Sequence, residues 1–229
     1  DHLDRYNSFE EYVNTKLNII KAVKPNGFIT FNNDDYILKE KIINKNNMIP
    51  FSYKDVQSKI FKLDEIHLRG THNHSNISAA LAISKIYNID FEIFIKSIEK
   101  FKPLPHRIEY VITLNKTKIY NDSKSTNIDS MSAAIDTFNQ NIVIIVGGVD
   151  KESSDFLNIF RQHSNKITHV ICYGESGQSI FNQIKNHIKS SYNKNFEISV
   201  SNAISKCKGG DVLLFSPGCA SYDQFKNYI

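Results

Sequence analysis

The chain has no tryptophan, only three cysteines, and no long apolar run. An odd count, Cys172, Cys207 and Cys219 with no paired spacing, argues against a disulfide framework or a zinc site and suits a reducing compartment. All three are expected as buried thiols. No stretch approaches the roughly 18 to 20 apolar residues needed to span a bilayer, and no signal-peptide pattern opens the chain. Membrane insertion is therefore not expected, and a cytoplasmic location is. The net charge of +4 comes from lysines scattered among asparagines, without the basic stripe that marks nucleic-acid binders. No nucleic-acid partner is expected, and anionic small molecules suit this balance. Also missing are the paired carboxylates of a glycosidase and a G-x-S-x-G elbow, which removes the chemistries they serve, and a G-x-G-x-x-G turn opening a helix, which weakens a dinucleotide reading.

What remains is 229 residues, 41% hydrophobic and 23% charged, enough for two ordinary domains. Ser8 followed by Glu11 is a capping-box signature. Phe9, Tyr12, Val13, Ile20 and Val23 then recur at helical spacing until Pro25-Asn26-Gly27. A strand over 28–31 runs into a polar turn, Asn32 to Asp35, and 37–68 reads as short strands with loops. A small-residue helix starts near Asn76. Asp90 caps another, FEIFIKSIEKF, which ends at Pro103 and Pro105, placing a domain boundary between 1–103 and 104–229.

Beyond the prolines, strands alternate with helices: RIEYVITL and KIYND as a hairpin, a helix near 130–138, and NIVIIVGG as a buried strand. A helix from Asp155, the strand HVICYG, a helix over 176–188, the strand FEISV and the strand DVLLFSP follow, with a last helix near Gln224. This pattern implies an α/β fold with a mostly parallel sheet covered on both faces, a Rossmann-like arrangement in which ligands bind beyond the carboxyl ends of the strands. YNDSKSTN, GGVDK and SPGCASYDQF all fall at such ends. They read either as one composite site or as ordinary polar loops.

Single residues carry two readings each. Lys16 lies on the apolar stripe of the first helix, where a lysine either snorkels to water or, carbamylated, becomes an anionic metal ligand. His2, with Asp4 beside it, precedes the same helix. Asn76 opens a helix, as a nucleotide contact or merely a cap. Arg107 in LPHR is either a phosphate fork or a surface arginine. Asp122 can accept from ribose hydroxyls, Lys124 can neutralise a phosphoryl group, and Thr126 can bond a carboxylate. Gly147 and Gly148 permit close backbone approach, with Lys151 beyond them, and Ser221 is expected to cap the last helix.

DHLDRYNSFEEYVNTKL, GTHNHSNISAALA, LPHRIE, NDSKSTN, GGVDK and SPGCASYDQFKNY, in this order, resemble the Mur ligases, and among them the branch that adds D-glutamate. The resemblance implies part of a central ATPase domain followed by a Rossmann-like C-terminal domain. It implies a cytoplasmic, monomeric enzyme of peptidoglycan synthesis, and hence of cell-wall biogenesis, cell shape and division. Such an enzyme joins D-glutamate to UDP-N-acetylmuramoyl-L-alanine through an acyl phosphate, using ATP and Mg2+. Carried over by motif, His2 and a carbamylated Lys16 would bind magnesium. Asn76, Arg107 and Asp122 would bind ATP, Lys124 would sit at the reacting phosphoryl group, and Thr126, Lys151, Ser221, Tyr222 and Tyr228 would surround D-glutamate.

Four positions depart from the family pattern: Ser125 and Gly218 stand where alanine is usual or common, and Tyr222 and Tyr228 replace leucine or phenylalanine. The glycine-lysine phosphate loop of the family does not occur in these residues. Because residue 1 is Asp and the chain opens on motif-like sequence, it reads as a piece of a longer polypeptide, inactive by itself. The competing readings are a non-catalytic nucleotide or amino-acid binding remnant or split subunit, and, more distantly, a nicotinamide-dependent oxidoreductase.

Overall fold

A computed structural model describes residues 5–42, 47–57, 68, 70–102, 104–150 and 154–220. The chain divides into two compact units, Asp1–Lys102 and Pro103–Ile229. In the first, α1 (Phe9–Leu17) starts where the Ser8 hydroxyl accepts the Glu11 N–H, while the Glu11 carboxylate reaches back to the Asn7 N–H. The Ser-x-x-Glu spacing encodes the first of these bonds, while the returning carboxylate reaches one residue past the Ser8 N–H of a standard capping box, to Asn7. A 3-10 turn over Asn18–Ala22 follows, and then β1 (Ile29–Asn32), α2 (Tyr36–Lys41), β2 (Met48–Phe51) and α3 (Lys54–Gln57). Strands β1 and β2 pair in parallel. The stretch read as short strands begins instead with α2, because the Asp35 carboxylate accepts the N–H groups of Ile37 and Leu38 and caps a helix there. Two longer helices complete the unit, α4 (Thr71–Ile86) and α5 (Phe91–Lys100), the latter capped by Asp90. Val56 of α3, Ile77 and Leu81 of α4 and Phe94 of α5 pack together.

The second unit is a six-stranded sheet in the order β3-β4-β8-β5-β6-β7. The hairpin β3 (Glu109–Leu114) and β4 (Thr117–Asn121) is antiparallel, and every other neighbouring pair is parallel. Strand β5 (Ile142–Gly147) is wholly buried, and its alternation explains both layers. Ile142, Ile144 and Val146 join a core with residues of α6 (Ile128–Asp136), α7 (Phe156–Gln162) and α8 (Gly177–Ile184). Val143 and Ile145 face the other way, onto α9 (Phe196–Lys206). Strands β6 (Ile167–Tyr173), β7 (Ser190–Asn193) and β8 (Val212–Gly218) complete the sheet. The last strand inserts between β4 and β5, so the chain reverses its progress across the sheet there, and a crevice is expected beyond those strand ends.

FEISV is not a strand: it opens α9. The Asn195 side chain accepts the Ile198 N–H, and Phe196, Val200, Ala203 and Cys207 reach the core at helical spacing while Ile198 is 54% exposed. A strand would have put Phe196, Ile198 and Val200 on one face. The strand in this region is SSYN, β7, on the sheet edge. Cys172 and Cys219 are buried, but Cys207 is only half-buried. The expected helix near Gln224 lies outside the described residues. Among the described residues, no helix is long and apolar enough to cross a membrane.

Candidate active site

The carboxyl ends of four strands in the second unit are hydrogen-bonded into one surface. From β4, the Asp122 N–H donates to the Phe215 carbonyl at 2.7 Å, and Gly218 N–H returns to the Ser125 carbonyl at 3.0 Å, joining NDSKST to SPGCA. From β5, Val149 exchanges two backbone bonds with Ala220, which joins GGVD to the same segment. Ser176, after β6, donates its N–H to the Gly148 carbonyl, and its hydroxyl accepts the Asp150 N–H at 2.8 Å. Asp150 in turn accepts from the N–H and hydroxyl of Ser154. Gly147 permits this approach: with φ at +141°, a Cβ there would lie 2.0 Å from the Tyr173 carbonyl oxygen. That close contact is to a neighbouring strand, so this glycine answers to sheet packing.

Within YNDSKSTN, burial alternates. Asp122 and Ser125 point inward, while Lys124 and Thr126 are exposed just ahead of α6, whose first turn is capped by Asn127. Asp122 is 6% exposed; it accepts the Ile108 N–H at 3.2 Å and the Ser216 hydroxyl at 2.8 Å. Burial raises its pKa to about 6, against the opposing pull of those two bonds and of the Arg107 charge. The Ser125 hydroxyl lies near enough to favour the ionised form, yet makes no hydrogen bond of acceptable geometry. Roughly two further acceptor positions of the carboxylate remain for a ligand hydroxyl.

The LPHRIE turn is fastened to this strand end. The His106 carbonyl accepts the Lys124 N–H at 3.1 Å, and Asn121 Nδ2 lies 2.9 Å from His106 Nδ1. Because Asn121 Oδ1 already accepts the Ser123 N–H, its amide nitrogen faces the imidazole and must donate. His106 Nδ1 is thus an acceptor, and the neutral ring carries its proton on Nε2. His106 and Ile108 both have left-handed backbone, φ +66° and +49°, on either side of exposed Arg107. For a β-branched isoleucine that conformation is an outlier, held by the Asp122 bond to its N–H. His106, Asn121 and Ser216 lie inside LPHRIE, NDSKSTN and SPGCASYDQFKNY, but their residue types do not single them out within those motifs. Only the left-handed, hydrogen-bonded turn reveals their role in displaying Arg107 beside Asp122 and Lys124.

In the first unit, the helix with Asn76 starts at Thr71, so Asn76 is no cap; it is exposed in the second turn, with Nδ2 3.4 Å from Asn73 Oδ1. Gly70, with φ at +90°, takes the capping position and brings GTHNHSN into the helix. Lys16 is exposed in the last turn of α1, its ammonium 5.6 Å from the centre of the Tyr12 ring. There it is a cation favoured by the helix end and the ring face. It becomes a metal ligand only if converted to a carbamate. Among the described residues no cluster of three His, Cys, Asp or Glu side chains could hold a metal, so the magnesium assignment finds no preformed set there. His2, Lys151, Ser221, Tyr222 and Tyr228 lie outside the described residues.

Comparison with known families gives two matches in series. Residues 1–64 match the Mur ligase middle domain, and residues 106–219 match the Mur ligase glutamate ligase domain. The chain belongs to the Mur ligase family. Among curated Mur ligases, it is 35% identical over 247 aligned residues to a protein of Lactobacillus helveticus named "UDP-N-acetylmuramoylalanine--D-glutamate ligase", aligning 99% of this chain with 53% of that protein. A protein of the same name from Caldanaerobacter subterraneus is 33% identical, with 100% and 55% covered. The chain thus spans about half the length of the curated relatives it matches. Solved Mur-type ligases share the fold at low identity. A pseudomurein peptide ligase type C from Methanothermus fervidus superposes with a TM-score of 0.72 at 18% identity, covering 95% of this chain and 59% of that one. MurF from Thermotoga maritima, solved in complex with ADP, gives 0.68 at 16% identity, with 96% and 56% covered. An α/β fold with a mostly parallel sheet is therefore common to this chain and these solved ligases.

Proposed function

We propose that the polypeptide carrying these residues is the ATP-dependent, ADP-forming ligase that joins D-glutamate to UDP-N-acetylmuramoyl-L-alanine, a cytoplasmic step of peptidoglycan synthesis. The observation that carries this reading is the fastening of the His106–Ile108 turn to Asp122 and Lys124, which gathers an acceptor, a fork-shaped cation and an ammonium at one strand end. Asp122 accepts from a ribose hydroxyl. Arg107 and Lys124 neutralise phosphate oxygens as charge builds on the transferring phosphoryl group. Thr126, exposed beside Lys124, bonds the incoming amino acid's carboxylate, and Lys151, Ser221, Tyr222 and Tyr228 complete its pocket. Asn76 also serves nucleotide binding.

The names of the curated relatives support D-glutamate and the nucleotide-linked alanine as substrates, and the ADP complex of the Thermotoga MurF supports a nucleotide. In this reading Lys16 serves as a carbamate, with His2, toward magnesium, which would supply charge neutralisation at the phosphates. The intact enzyme acts as a monomer. The test is phosphate release by the purified intact polypeptide with ATP and UDP-N-acetylmuramoyl-L-alanine. Release should require D-glutamate and match the formation of amide product one for one. Equal turnover with L-alanine or a diamino acid in its place would overturn the assignment.

A further inference from the structure

The ligase chemistry gives no task to one buried group at the candidate site, the Ser125 hydroxyl. Ser125 is 3% exposed, and its Oγ has no hydrogen-bond partner of acceptable geometry. A buried hydroxyl left so costs stability unless something satisfies it. The backbone fixes where this one sits. Asp122 to Ser125 is a turn closed by the Ser125 N–H, which donates to the Asp122 carbonyl at 2.9 Å and brings the two Cα atoms within about 7 Å. On its other side the Ser125 carbonyl accepts the Gly218 N–H at 3.0 Å, which ties the residue to the end of β8. The turn thus holds two inward side chains side by side, a carboxylate and a hydroxyl. The carboxylate already takes the Ile108 N–H on Oδ1 and the Ser216 hydroxyl on Oδ2. Ionised, it offers about four acceptor positions, so roughly two stay open.

We propose that Ser125 is a positioning residue of the nucleotide site: its hydroxyl donates to ionised Asp122 as a third protein donor and leaves roughly one acceptor position, for a single ribose hydroxyl. This rests on the ligase reading, in which Asp122 holds the nucleotide. A serine reaches that geometry by rotation about one bond, χ1. Burial holds the Asp122 pKa at about 6, and the Ser125 hydroxyl is among the groups that oppose it, with Ser216, the Ile108 N–H and the Arg107 charge. The remaining charges nearby are placed elsewhere: Glu109, on β3, accepts the His106 N–H at 2.8 Å, and Lys124 is exposed. Strand β8 brings the Ser216 hydroxyl and no charged side chain. A protonated Asp122 turns one of its oxygens into a donor, so a donor aimed at the ionised form keeps the site ready to accept.

The test is Ser125→Ala in the intact polypeptide, with Asp122→Asn alongside. The Asp122 carboxyl is followed by its 13C resonance against pH, and the Kd for ATP is measured across the same range. Alanine keeps the turn, which backbone atoms close, so the variant folds. One hydrogen bond to a charged group is worth roughly tenfold in the ionisation equilibrium. The Asp122 pKa should therefore rise above its present value of about 6, ATP should bind about threefold more weakly near pH 6.5, and the deficit should fade toward pH 8.5. An Asp122 pKa that does not move, or a deficit equal at every pH, would overturn the proposal, since a merely structural loss does not follow the titration of Asp122. If the pKa rises while ATP affinity is untouched in both variants, the pairing of Ser125 with Asp122 stands, and the nucleotide role that the ligase reading gives Asp122 fails instead.

Discussion

Replacing Asp122 with asparagine should stabilise the second unit while weakening nucleotide binding. The folded carboxyl holds its proton up to about pH 6, against 3.8 ordinarily, so ionised Asp122 costs the folded state roughly 3 kcal/mol. The stability contributed by the protonated form is complete below about pH 4 and is lost as pH rises through 6. Asparagine keeps an oxygen for the Ile108 N–H, and its amide can donate to the Ser216 oxygen in place of the present bond. The Ser216 hydroxyl, fully buried, then loses its own acceptor, which costs about 1–2 kcal/mol. A net gain of about 1–2 kcal/mol is expected at pH 8, falling to zero or below at pH 4. Urea denaturation at the two pH values measures it, and nucleotide affinity should fall about tenfold or more in the same variant. A variant less stable than the parent at pH 8, or a difference that does not change with pH, would refute the burial argument.

Asn121→Ala removes the bonds to His106 Nδ1 and to the Ser123 N–H, and should cost about 1–3 kcal/mol. It should also release the His106 tautomer, read from its imidazole 15N shifts; an unchanged tautomer would show that Asn121 does not set it. Gly147→Ala drives a Cβ into the Tyr173 carbonyl and should cost about 3 kcal/mol or more, measured by denaturation. Lys16→Ala in the intact polypeptide should abolish ligase turnover and regain part of it with added short carboxylic acids. Full activity without them would remove the carbamate from the mechanism.

The order of elements was legible because each depends on local rules. Ser8, Asp90 and Asp155 announced their helices, and Ile142 to Val146 read as a doubly buried strand. FEISV misled because its β-branched and aromatic residues suit a strand in isolation; the deciding terms, the Asn195 cap and the core that receives Phe196 and Val200, are respectively one residue outside the stretch and far away in sequence. GTHNHSN misled similarly, since the left-handed Gly70 that starts its helix is a backbone property.

The sequence by itself determined the family, through motifs whose residue types carry the chemistry, and it determined that polar segments follow three strands. Only the tertiary structure decided how they meet. The insertion of β8 between β4 and β5 sets Ser216 against Asp122, 94 positions away, while the pairing of β3 with β4 brings His106 to Asn121. The physical reason is that a carboxylate's protonation, a histidine's tautomer and a strained arginine-bearing turn are properties of buried neighbours, and neighbours are assigned by the fold.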